Sequence, residues 1–89
     1  MHKLIVFADP FQEVEIFEVL DDIEGKTHKI SQLRLPQESV DFIKNYSESL
    51  QDKVEVVYVG PKDYVTYFVS QVNKFDFVKA SACEDEKGE

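Results

Sequence analysis

The chain has 89 residues, 43% of them apolar, and a formal net charge of −8 at pH 7. That length supports one domain with one core. Its single cysteine, Cys83, excludes an intrachain disulfide and a thiolate metal cluster, and its charge disfavours nucleic acid, anionic lipid and phosphorylated substrates as direct partners.

The first element is the apolar run Leu4 to Ala8, followed by Asp9. It is too short for a signal-peptide core or a membrane span and reads as a strand. With a lone cysteine, it points to a cytoplasmic protein that touches no membrane.

Two readings compete for the next segment. In one, Glu13 to Asp21 is a strand with Val14, Ile16 and Leu20 on one side, and a turn at Asp22-Ile23-Glu24-Gly25 leads into a partner strand, Thr27 to Leu35. In the other, Asp9 caps a helix with Pro10 at its first position, Gln12 completes a capping box and Gly25 ends it. Ile16, Val19, Leu20 and Ile23 would share a helical arc, but Val14 and Phe17 fall outside it. The β-branched and aromatic content favours the hairpin.

Downstream the periods are clearer. Gln37 to Leu50 places Val40, Phe42, Ile43, Tyr46 and Leu50 on one helical side, and Pro36 suits its first turn. Val54 to Val59 is nearly all apolar, the pattern of a strand covered on both faces. After Gly60-Pro61, Lys62 to Lys74 puts Tyr64, Val65, Phe68, Val69 and Val72 in one arc, with Thr66, Ser70 and Asp63 opposite. Phe75 to Ala80 reads as a final strand. Residues 1–80 thus form the expected domain, and the acidic residues 81–89 a frayed tail.

The resulting α/β order, β-β-β-α-β-α-β, is similar in element order to the core of ribonuclease H-like and actin-like domains. There an antiparallel N-terminal unit joins parallel strands through right-handed crossovers. The helical reading gives instead β-α-β-α-β-α-β, a small doubly wound sheet. In ribonuclease H-like nucleases, acids at the ends of neighbouring strands hold two divalent metals. The resemblance places Asp9 at the first such position, but the position after the next parallel strand is Gly60, which has no acid. Glu38 supplies a further ligand only if its helix begins nearby.

An anion site at Gly60–Lys62 is the other ligand reading, through the exposed amides of a helix start. Phosphate cradles use several glycines, whereas here one is present and Asp63 adds a repelling charge. His2 and His28 lack a second ligand at zinc spacing, and the serines lack a glycine elbow. No catalytic set, metal site or cofactor site is expected. Tyr58, Tyr64, Phe68, Phe75 and Phe77 sit where core packing explains them, while Tyr67 falls off the apolar arc as a contact residue.

The least ordinary feature is the acidity of residues 1–24, where one lysine faces seven acids. Glu13, Glu15, Glu18, Asp21, Asp22 and Glu24 make a charged ribbon around apolar groups. Such a ribbon either keeps an edge from aggregating or steers a basic partner protein. The expected function is a non-enzymatic interaction or regulatory module, such as an inhibitor of a nucleic-acid-handling protein. The alternative is a ribonuclease H-like or doubly wound ligand- or metal-binding domain using Asp9, Glu38, Gly60 and Lys62. Homo-oligomerisation stays open.

Overall fold

A computed structural model describes residues 2–21 and 23–84. In chain order these form β1 (His2–Phe7), β2 (Val14–Asp21), β3 (Lys26–Leu33), α1 (Pro36–Leu50), β4 (Val54–Gly60), α2 (Lys62–Val72) and β5 (Val78–Glu84). The five strands make one sheet in the order β3-β2-β1-β4-β5. The pairs β1–β2 and β2–β3 are antiparallel, whereas β1–β4 and β4–β5 are parallel. This is the element order of the hairpin reading, and the doubly wound alternative is set aside.

The hairpin wins because Asp9 spends its capping capacity on a single turn. Its Oδ1 accepts the Phe11 N–H at 2.8 Å, and its carbonyl accepts the Gln12 N–H at 3.3 Å. From Val14 the chain alternates, with Val14 and Ile16 fully buried. At the tip, Asp21 Oδ1 accepts the N–H groups of Ile23 and Glu24, and Gly25 closes the turn at φ 71°. Register shifts occur after Ile16 and after Val19. At the second, Leu20 has no partner across the ladder and is 62% exposed, off the buried side expected from alternation.

Both helices lie on one face of the sheet, over Leu4, Val6, Val14, Ile16, Val54, Val56 and Tyr58. Pro36 occupies the first turn of α1, and Glu38 Oε1 accepts the Leu35 N–H at 3.0 Å, half of a capping box. The buried side of α1 is Ser39, Val40, Ile43 and Ser47. It is rotated from the expected arc, so that Phe42 and Tyr46 are half-buried and Leu50 is exposed. Small serines let the helix approach the sheet, and Ser39 Oγ meets the buried Tyr58 hydroxyl at 2.8 Å. In α2, Val65, Phe68 and Val72 are buried as the spacing predicts. No helix among the described residues is long and apolar enough to cross a membrane.

The last strand departs most from expectation. Phe75 to Phe77 form a turn, in which Phe77 takes φ 72° and its carbonyl accepts the Val54 N–H at 2.7 Å. Phe77 is therefore exposed rather than core. β5 instead runs through Ser81–Glu84, inside the segment read as tail, because Ser81 to Glu84 pair in register with Val57 to Gly60. Residues 85–89 lie outside the described residues. The outer edge of β5 is partly closed by a side chain: Asn73 Nδ2 donates to the Ala80 carbonyl at 3.0 Å, and Asn73 Oδ1 accepts the Ala80 N–H at 2.7 Å.

Asn73→Ala should lower the unfolding free energy by about 1 kcal/mol and increase concentration-dependent association. Urea titration and light scattering check both, and Asn73→Asp should sit between because it keeps only the acceptor. Burial pushes the Tyr58 hydroxyl up to about 12, against a smaller opposing effect of its Ser39 hydrogen bond. The unfolded chain therefore loses this proton first. Stability is full below the ordinary tyrosine value of 10.0 and falls as pH rises towards 12, by up to roughly 2 kcal/mol. Urea midpoints measured across that window should drop, and Tyr58→Phe should flatten the drop.

Candidate protein-binding end of the sheet

Where β1 and β4 end side by side, the sheet opens onto a hollow of about 400 Å³ that includes Phe7, Asp9, Glu13, Glu15, Val59 and Gly60. Parallel sheets place ligand sites at the carboxyl ends of their strands, so this position matters. The glycine there has a structural cause. A Cβ on Gly60 would run into the Ala8 carbonyl oxygen, and the neighbouring Ala8 N–H donates to the Val59 carbonyl at 3.0 Å. Gly60 thus lets β1 and β4 close together, and no ligand is needed to explain it.

The carboxylates of the hollow come from the loop after β1 and from β2. Glu13 accepts from the Gln32 amide, and Glu15 pairs with Lys29 at 3.2 Å. Lys29 also donates to Gln32 Oε1 at 3.1 Å, so the four side chains form a network across β2 and β3. Being partly exposed, the Glu15–Lys29 ion pair contributes no more than about 1 kcal/mol. The network holds Glu13 and Glu15 in place without neutralising the end, since Asp9, Glu13 and Glu15 outnumber Lys29.

The remaining acids of the expected ribbon are dispersed. Glu18 faces α1, where burial first, and then its charge and hydrogen bond, raise the Tyr46 pKa. Asp21 is occupied in the hairpin turn, and Glu24 pairs with Lys26 at 3.2 Å. Asp22 lies outside the described residues. Tyr67 is 54% exposed on α2, edge-on to Phe68, in the helical layer.

The ligand set of the alternative reading is not assembled. Asp9 and Gly60 share the hollow, but Lys62 and Glu38 do not line it, and Glu38 is committed to the start of α1. Asp9 is felt at Tyr64, whose pKa is raised by burial first and by the Asp9 charge second. Among the described residues no three His, Cys, Asp or Glu side chains are placed to hold a metal ion.

One feature escaped the sequence reading. The pleat sends Ile5, Phe7, Phe17, Val57 and Val59 to the face opposite the helices. Ile5 stands between Phe17 and Val57, and Phe7 between Glu15 and Val59. Phe7 is 43% exposed and meets Phe17 edge-on at 5.6 Å between ring centroids. The pattern of β4 predicts cover on both faces, and α1 and α2 cover only one. The signal was present: Leu4 to Phe7 and Val56 to Val59 are apolar at both parities, yet two successive crossovers of one hand put both helices on the same side. At the other end of this face, Lys3, Glu55 and Lys79 stand in one row across β1, β4 and β5.

No protein-family model, curated protein or solved structure matches the chain. The geometry predicts that millimolar Mg²⁺, Mn²⁺ or nucleotide leaves the thermal midpoint unchanged. A selective upward shift with any of them would reveal a ligand site, because a ligand bound only by the native state stabilises it.

Proposed function

We propose that the chain is a non-enzymatic protein-interaction module whose acidic sheet end receives a basic surface of a partner protein. The observation that carries this reading is the convergence of Asp9, Glu13 and Glu15 on one hollow beside the exposed Phe7 and the half-buried Val59. Carboxylates held by Gln32 and Lys29 present negative charge at fixed positions, and the chain's net charge of −8 adds a long-range attraction. Such a surface repels phosphate and attracts Lys and Arg. A partner whose basic surface otherwise faces nucleic acid would be occupied competitively, which makes inhibition the regulatory outcome.

The test is capture from an extract of the source cells with wild type and with Glu13→Lys/Glu15→Lys. Wild type should retain a basic protein at low salt and release it at roughly 0.5 M salt, where charges are screened within a few ångströms. The reversed variant should lose it while keeping its thermal midpoint within a few degrees. Equal retention of the same partner by both proteins would remove this function.

A further inference from the structure

We infer that the face of the sheet opposite the helices is the seat of one amphipathic, basic helix contributed by the partner protein. The inference rests on the function proposed above and adds the second half of the contact.

Parallel strands that are apolar at both parities occur in sheets with both faces covered. Here β1 and β4 have that pattern, and Ile5, Phe7, Val57 and Val59 face away from both helices. The cover we assign to this face is a segment of a partner protein.

Size and charge choose between occupants. Five strands about 4.8 Å apart and about 20 Å long offer a face of roughly 500 Å². Two copies would each bring a net charge of −8, and this repulsion disfavours a second copy. The apolar patch spans β2, β1 and β4, about 14 Å across with its flanks, which matches the 10–12 Å width of one helix. Along the strands, the full length of about 20 Å, from the apolar rows of Ile5 and Phe7 to the charged row of Lys3, Glu55 and Lys79, corresponds to roughly 13 residues of helix. The patch runs directly into the acidic hollow through Phe7 and Val59, which belong to both. A helix laid along β1 with an apolar stripe on the sheet would place its flanking Lys or Arg side chains beside Asp9, Glu13 and Glu15.

The probe is a synthetic peptide of about 18 residues built from Leu, Lys and Arg, with Leu confined to one helical face. Its control has the same composition with Leu dispersed, and binding is read by fluorescence anisotropy. Wild type should bind the amphipathic peptide at least about tenfold more tightly than the control. Val57→Lys should abolish that preference. Val57→Thr/Val59→Thr, which keeps side-chain shape and β-propensity, should weaken it with the thermal transition intact, which separates lost docking from lost folding. Glu13→Gln/Glu15→Gln should weaken both peptides alike.

Equal wild-type affinity for the two peptides, or a Val57→Lys variant that keeps the preference, overturns this proposal and leaves the acidic-end function standing. A Glu13→Gln/Glu15→Gln variant that binds both peptides as tightly as wild type overturns the proposal and the function together. Sedimentation of the free protein gives the remaining outcome: a dimer abolished by Val57→Lys assigns the face to a second copy and overturns the partner helix.

Discussion

The parallel pairing of β1 with β4 is the constraint on which the rest of the molecule depends. It joins two halves of different character, an antiparallel hairpin unit and a β-α-β crossover, through a continuous register from His2–Val54 to Phe7–Val59. Leu4 and Val6 on one strand and Val56 and Tyr58 on the other are fully buried. Their burial fixes which face both helices must cover. The same pairing sets the end of the sheet, because only a residue without a side chain fits against the Ala8 carbonyl at position 60. Asp9 and the loop to β2 then follow directly, so the position of the acidic hollow is a consequence of strand closure.

Polar groups within this core are few and satisfied. Ser39 bridges the Pro36 carbonyl and the Tyr58 hydroxyl, and Ser47 bonds to the Lys44 carbonyl. No fully buried side-chain polar atom among the described residues lacks a partner. An unpaired hydroxyl at Tyr58 would cost more than the bond returns, so the Ser39–Tyr58 contact selects the rotation of α1 as well as stabilising it. That selection explains why serines, and not the larger Phe42 and Tyr46, face the sheet.

Much of the fold was legible in local pattern. The period of Tyr64, Val65, Phe68 and Val72 gave α2, and the run from Val54 gave β4. The hairpin was readable from the alternation at Val14 and Ile16, though an equally local helical arc competed with it. Three things were not legible, each because it depends on partners distant in sequence. The bulge that expels Leu20 is a property of the β2–β3 ladder. The extension of β5 through Glu84 comes from main-chain pairing with β4, which polar side chains do not advertise. The turn at Phe77 takes a left-handed conformation that a phenylalanine seldom adopts. For the site, the acids at 9, 13 and 15 were visible as charge, but their separation from Glu18 and Asp21 required the pleat and the tip turn. The bare apolar face was implicit in the excess of apolar residues over available helices.

The side-chain amide of Asn73 acts at Ala80 as a dummy neighbour, offering one acceptor and one donor where another chain's backbone would otherwise sit. Lateral growth of a sheet demands several consecutive vacant positions along its margin, and here the run is interrupted in the middle. Recruitment by strand addition is thereby discouraged on this flank. The shielding is confined to this flank of the sheet, while greasy surface stays bare on the face away from the helices.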